Sequence, residues 1–174
     1  MVAKSSIKID DGKKKLDQIG KIILVGSGKG GVGKSFVSCG LGLRLSSSGF
    51  KTGLFDMDIH GASVPNYLGI GPPLRSTRKG LEPKRVGRNL KVMSVSLLTG
   101  NNPVPMHGIE KEDMLSRFFA LTNWAKLDYL IVDLPPSTGD ELLSAFSLFS
   151  DRSKLLIVTK IGRASCRERV YLCV

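Results

Sequence analysis

The sequence predicts an α/β fold built on a doubly wound, mainly parallel sheet. Three observations carry that expectation. Five short apolar runs rich in Val, Ile and Leu alternate with stretches of helical periodicity. A glycine-rich loop joins the first run to the first helical pattern. Acidic residues end the second and fourth runs, at the carboxyl ends of strands where open parallel sheets hold their ligands.

The elements follow in order. Residues 1–20 are polar and lysine-rich and read as a lead-in. Ile22-Ile23-Leu24-Val25 has the length and β-branched content of a buried strand. After the loop Gly28-Lys29-Gly30-Gly31-Val32-Gly33-Lys34-Ser35, a helix is predicted from Phe36, Val37, Gly40, Leu41 and Leu45, which recur at spacings of three to five. Thr52-Gly53-Leu54-Phe55 is the second strand and ends in Asp56. The Pro- and Gly-rich, basic region Gly61 to Asn89 reads as loops, a short helix near Asn66 and a hairpin. Val92 to Leu97 is the third strand. Glu110, Glu112 and Asp113 place acids in the first turn of the next helix, with Met114, Leu115, Phe118, Phe119 and Leu121 as its apolar face. Tyr129-Leu130-Ile131-Val132 is the fourth strand, Gly139 to Ser150 a helix, and Leu155-Leu156-Ile157-Val158 the fifth strand.

Strand, glycine-rich loop and helix together form the context of a phosphate-binding P-loop. The glycines allow tight turning and present successive N–H groups to phosphate oxygens. The helix start adds partial positive charge at the same place. Gly28, Lys29, Gly30, Gly31, Val32, Gly33, Lys34 and Ser35 are thus the nucleotide-binding candidates, with Lys34 directed to the β- and γ-phosphates and Ser35 to Mg²⁺. Asp56-Met57-Asp58 and Asp133 end strands beside that loop, which makes Ser35 and Asp133 the Mg²⁺ candidates and the Asp56/Asp58 pair a candidate part of the same site. Solvated strand-end acids, or a turn-forming Asp before Pro135, are the simpler alternatives. No third carboxylate or histidine cluster lies nearby in sequence, so Mg²⁺ shared with phosphate fits better than an all-protein cage.

At 174 residues the chain has the size of one domain, and its 41% hydrophobic content is ordinary for a soluble protein. No apolar run approaches the ~20 residues a membrane span needs, and no secretory signal is visible. Cys39, Cys166 and Cys173 form neither a disulfide framework nor a C-x-x-C pair, so the expected compartment is the cytoplasm. The net charge of +11 raises nucleic acid as a partner, with bases clustered over Lys4 to Lys21 and Arg75 to Lys91. No aromatic residues interleave with the bases of the second cluster, so a stacking platform is missing and a solvated basic loop is the favoured reading. Cys39 reads as a small core residue, and His60 and His107 as structural or loop histidines.

The extra base Lys29 inside the loop resembles the deviant Walker A motif of the MinD/ParA/ArsA ATPases, in which such a lysine reaches across a nucleotide-sandwiched dimer. Three segments narrow the resemblance to the Mrp/ApbC family of iron–sulfur cluster carrier ATPases: Gly28 to Ser35, Asp56-Met57-Asp58-Ile59-His60-Gly61-Ala62-Ser63-Val64-Pro65, and Asp128 to Glu141 with Asp133-Leu134-Pro135-Pro136. The match runs from about Lys21 to Thr159. It implies a MinD-like (SIMIBI-class) P-loop NTPase fold, ATP and Mg²⁺ as cofactors, a homodimer when intact, and apo iron–sulfur proteins as clients. It further implies that Lys29, Lys34 and Asp58 are catalytic, Asp58 orienting the attacking water and Asp56 supporting the Mg²⁺ shell. Pro135 to Asp140 would be the second switch, its backbone at Pro136 and Gly139 sensing the γ-phosphate. The family usually has Gly at Ser137, Pro at Ala62 and Trp-Arg at Met106-His107, which leaves that last loop without an assigned role.

After Thr159 the family's later strands and its cluster-binding C-x-x-C are expected but not found, and the string from about Ile161 to Val174 resembles a translated sequencing adapter. The expectation is therefore a partial ATPase domain over 21–160, incomplete at its C-terminus, with a non-native tail over 161–174 and impaired turnover. Cys166 and Cys173, spaced C-x₆-C, are not expected to ligate a cluster, and no iron–sulfur ligand is assigned in this chain. Two other functions fit a P-loop of this kind: a MinD/ParA-type positioning or partitioning ATPase acting on membrane or DNA, and a non-hydrolysing nucleotide-dependent scaffold. The D-x-D-I-x-G element and the absence of an amphipathic membrane helix speak against the first.

Overall fold

A computed structural model describes residues 15–58, 61–78, 80–99, 108–136, 148–149 and 152–160, with the side chains of 98–99 and 108–112 outside that description. Its centre is a six-stranded sheet. β1 (Ile19–Gly26), β2 (Thr52–Asp56), β5 (Lys84–Val86), β6 (Leu90–Ser94), β7 (Leu127–Asp133) and β8 (Ser153–Ile157) lie in the order β5-β6-β2-β7-β1-β8. All pairings are parallel except β5 with β6, so an antiparallel ribbon closes one edge. β3 (Arg75–Thr77) and β4 (Gly80–Glu82) form a separate hairpin.

The strands are central because their apolar runs supply both faces at once. Along β2, Leu54 enters one core and Phe55 the other; along β7, Ile131 and Val132 divide the same way. Helix α1 (Lys34–Ser47) covers the face of Val25, Leu54, Val92 and Ile131. Helix α4 (Gly108–Leu121) covers the opposite face, where Phe55, Phe118, Phe119, Trp124 and Phe149 stack with ring centroids 5.2–6.0 Å apart. Two short helices, α2 (Val64–Leu68) and α3 (Ser96–Thr99), follow β2 and β6. The sheet is doubly wound, as the alternation of elements predicts.

The packing departs from the sequence expectation in particular places. In α1 the buried residues are Lys34, Ser38, Cys39 and Gly42, whereas Phe36 is 65% exposed and Gly40 lies at the surface. Close approach of the helix to the sheet explains this. A Cβ on Gly42 would stand 3.4 Å from Leu90 and 3.6 Å from Ile131, so only short side chains fit there. Phe36 instead meets Tyr67 of α2 edge to face. Leu121, expected on the apolar face of α4, is exposed at the helix end, and Thr122 takes the buried position with its hydroxyl donating to Phe118 O at 2.7 Å. The third strand starts and stops earlier than expected, and Ser96 begins a helix. Of the helix expected over 139–150, only 148–149 fall within the described residues, and both are helical. Of the lead-in expected over 1–20, residues 1–14 lie outside them, whereas Leu16 packs on the core and Ile19, buried, already begins β1; the tail over 161–174 also lies outside them. Among the described residues no helix is long and apolar enough to cross a membrane.

Candidate nucleotide-binding site

The loop after β1 opens at the carboxyl edge of the sheet. Gly31 and Gly33 take φ of +75° and +94°, conformations that L side chains rarely adopt. A Cβ on Gly30, Gly31 or Gly33 would meet no atom within 4 Å, so the space over the loop is open. Gly28, Lys29, Gly30 and Gly31 are exposed, and Val32 and Gly33 partly so. The Ser27 hydroxyl donates to Lys29 O at 3.0 Å and steadies the loop's entry.

Lys34 opens α1 directly from Gly33 and is buried with 6% exposure. Its Nζ lies 2.8 Å from Asp133 Oδ2 and 3.3 Å from Ser35 Oγ. The Ser35 hydroxyl donates to the same Oδ2 at 2.6 Å. Ser38, one turn further along α1, donates to Asp133 Oδ1 at 2.6 Å. Strand β7 ends on Asp133, which is fully buried and pairs in register with Asp56 at the end of β2. Lys34, Ser35 and Asp133 therefore converge as the sequence predicts, from elements far apart in the chain.

Asp56 is equally buried and stands behind this group. Its Oδ1 accepts the Asp58 N–H at 3.1 Å and its Oδ2 accepts the Ser94 hydroxyl at 3.1 Å. Burial pushes its carboxyl up to about 7 and the Asp133 charge adds to that, while the Asp58 and Ser94 hydrogen bonds pull the other way. Burial first, then the Asp133 and Asp56 charges, push the Cys39 thiol up to about 12 against the opposing Lys34, so it stays protonated and behaves as a small core residue. Asp58 is half-buried, its Oδ1 accepting the Gly61 N–H at 2.8 Å in a local turn. Pro136 is exposed just past β7. Gly139 and the rest of the expected second switch lie outside the described residues, as do His60 and His107.

Sequence reading passed over two side chains in this cluster, Ser38 and Ser94. A usable signal exists for each: Ser38 is four residues after Lys34 and so on the same helix face, and Ser94 is the polar end of an apolar strand whose register places it beside Asp56. Among the described residues no three His, Cys, Asp or Glu side chains are grouped closely enough to hold a metal. The oxygens of Ser35 and Asp133 are hard donors of the kind Mg²⁺ accepts when phosphate supplies the remainder.

A family model described as ParA, NUBPL iron-transfer P-loop NTPase, matches residues 18–169. The chain belongs to this family. The resemblance drawn from the D-x-D and D-L-P-P segments thus holds at the level of iron-transfer P-loop NTPases. An iron-sulfur cluster carrier protein of Saccharolobus solfataricus is 43% identical over 148 residues, which are 83% of this chain and 50% of that protein. A cytosolic Fe-S cluster assembly factor, the Nubp2 homolog of Aedes aegypti, is 46% identical over 168 residues, 91% of this chain and 65% of that protein. The chain thus spans about half to two thirds of the length of these relatives. Among solved structures, a nucleotide-binding protein from Archaeoglobus fulgidus in complex with ADP matches with a TM-score of 0.76 at 35% identity, over 91% of this chain and 63% of that one. The cell division ATPase MinD of Pyrococcus furiosus matches with a TM-score of 0.56 at 22% identity, over 80% and 59%, which speaks to the fold alone.

Proposed function

We propose that this ParA/NUBPL-type chain binds ATP with Mg²⁺ at the Gly28–Ser35 loop and hydrolyses it, as the nucleotide-driven part of a dimeric, cytosolic iron–sulfur cluster carrier serving apo iron–sulfur proteins. The observation that carries the reading is the convergence of Lys34, Ser35 and Ser38 on one buried carboxylate, Asp133, beneath an open glycine loop. The ADP held by the Archaeoglobus fulgidus protein and the carrier names of the relatives support it.

The residues divide the work by their chemistry. Backbone N–H groups of the loop and the start of α1 meet the phosphates. Lys34 supplies a cation to the β- and γ-phosphates, and Ser35 with Asp133 holds the Mg²⁺, which when bound neutralises charge developing on the transferred phosphoryl group. Asp56, with both oxygens already accepting protein hydrogen bonds, acts on that site through its field rather than by direct contact. Asp58 orients the attacking water, and the backbone at Pro136 and Gly139 senses the γ-phosphate. Lys29 is exposed at the loop, as a residue reaching a partner's phosphates must be. Cys39 keeps its proton and is not a cluster ligand, and none is assigned among the described residues.

ATP turnover of Asp58→Ala measured beside the parent tests the hydrolytic assignment. A loss of ~100-fold or more with ATP affinity retained is expected for a residue that positions the nucleophile. Equal turnover would remove Asp58 from the mechanism.

A further inference from the structure

The opposite edge of the sheet carries a second feature that the nucleotide site does not use. Lys51 precedes β2, Arg85 lies on β5, Arg88 on the turn to β6, Lys91 on β6 and Lys126 just before β7, and all five line one cavity of about 350 Å³. Among the described residues no carboxylate lines it, and Asn89, Ala125 and Leu127 complete the wall. β2 runs from this edge to Asp56, so five residues at ~3.3 Å each separate the cavity from the nucleotide site by about 17 Å.

Among the described residues these cations outnumber the acids near them, Asp128 beside Lys51 and Glu82 acting on Lys91. Among the described residues none of the five makes an ion pair. Asp128, the nearest acid in sequence, accepts the Lys51 backbone N–H on its Oδ2 at 2.7 Å and so sets one carboxylate beside the group. Glu82 takes the Asn123 side-chain amide at 2.8 Å. Lys91, unlike the exposed Arg85 and Arg88 of the same basic segment, is half-buried and donates to the Trp124 carbonyl at 2.6 Å. Burial holds its ammonium below the ordinary lysine range, Arg85 adds to that, Glu82 partly offsets it, and Lys51 lowers it further. The wall also contains Ala125 at φ +54°, a left-handed conformation uncommon for a non-glycine residue.

We propose that this cavity binds a small anion carrying two phosphate groups. Five cations set against the two nearby carboxylates, Asp128 and Glu82, leave about +3, more than a single phosphate, about −2 at neutral pH, can neutralise. A volume of about 350 Å³ is at the small end of ligand pockets and suits a compact solute rather than a long groove-bound chain. The bases come from three separate segments of the chain, and the sheet edge brings them to one point. Such a site would also relieve the mutual repulsion of Lys91 with Arg85 and Lys51.

Calorimetric titration of the full chain with inorganic pyrophosphate tests this, with Mg·ADP saturating the P-loop and ionic strength held constant. Binding is expected in that state, at least tenfold tighter than for orthophosphate. It is expected to fall at least tenfold in the double variant Arg85→Gln/Arg88→Gln, whose two sites are exposed, and severalfold in Lys126→Gln, with melting temperatures near the parent's. ADP affinity should not change in either variant. Pyrophosphate binding that is equal in parent and double variant, or that vanishes when ADP fills the P-loop, would overturn the proposal. Equal affinity for orthophosphate and pyrophosphate would overturn the two-phosphate assignment.

Discussion

Replacing Asp56 by Asn should stabilise the folded chain at alkaline pH. Asp56 is fully buried and its carboxyl is pushed from about 3.8 up to about 7, chiefly by burial and then by Asp133. A carboxyl whose pKa is raised on folding binds its proton more tightly in the folded state. Stability is therefore greatest below about pH 4 as far as this group is concerned, and is lost as pH rises through about 7. Each tenfold step is worth ~1.4 kcal/mol, so ionised Asp56 costs the folded state on the order of 4 kcal/mol at pH 8, as an upper figure. The Asp56→Asn side chain keeps an oxygen for the Asp58 N–H, and its new NH₂ faces the Ser94 hydroxyl, which can accept. Urea unfolding of parent and variant in Mg²⁺-free buffer at pH 5, 6, 7 and 8 isolates the effect. The variant should gain ~2–4 kcal/mol over the parent at pH 8, and the gap should close toward pH 5. A gap of the same size at pH 5 and pH 8 would refute the reasoning.

Three further outcomes are expected. Ser38→Ala removes the donor to Asp133 Oδ1; a lost hydrogen bond to a charged group should cost ~1.5–3 kcal/mol by urea unfolding. Lys34→Ala leaves the buried Asp133 charge without its ion-pair partner and should cost ~3–5 kcal/mol as well as ATP binding. Adding Asp133→Asn to it should recover part of the stability but none of the binding, read by the same unfolding assay and by calorimetry. At Gly80, φ is +117° and a Cβ would stand 2.1 Å from the Leu121 carbonyl oxygen. Gly80→Ala should therefore lower the melting temperature well beyond Gly87→Ala, where φ is +66° but nothing lies within 4 Å and the expected cost is ~1–2 kcal/mol.

The central strands were legible because a strand covered on both faces must be largely apolar, as Ile22–Val25 and Tyr129–Val132 are and as Thr52–Phe55 is after its first residue. Their order was not legible. Placing β7 between β2 and β1 depends on long-range pairing that no local pattern encodes. Helix faces failed for a related reason. Apolar spacing pointed to Phe36, but the closeness of α1 to the sheet selects Ser38, Cys39 and Gly42 by size rather than by hydropathy. In the site, Lys34, Ser35 and Asp133 were readable from motifs, whereas Ser38 and Ser94 were not. A lone serine hydroxyl acquires meaning only once register shows which carboxylate it faces. The basic edge was half legible: Arg75 to Lys91 stood out as a cluster, but Lys51 and Lys126 join it only through the sheet.

The hydrogen bonds around Asp133 also explain why two serines of α1 are needed rather than one. Lys34 and Ser35, the groups proposed for phosphate and Mg²⁺, both contact Oδ2. Ligand must compete for those contacts, and a carboxylate held only through Oδ2 would be left buried and unsupported as they shift. Ser38 holds Oδ1 at 2.6 Å and lies one turn deeper, where it is fully buried. Its grip does not depend on the groups that have to change partners. The backbone at Asp133 is further fixed by the Leu134 N–H donating to Val25 O at 3.0 Å and by the Met57 N–H donating to the Asp133 carbonyl at 3.0 Å. The carboxylate is thereby anchored from the helix side and its backbone from both neighbouring strands, which leaves Oδ2 as the part of it that would exchange partners with an incoming ligand.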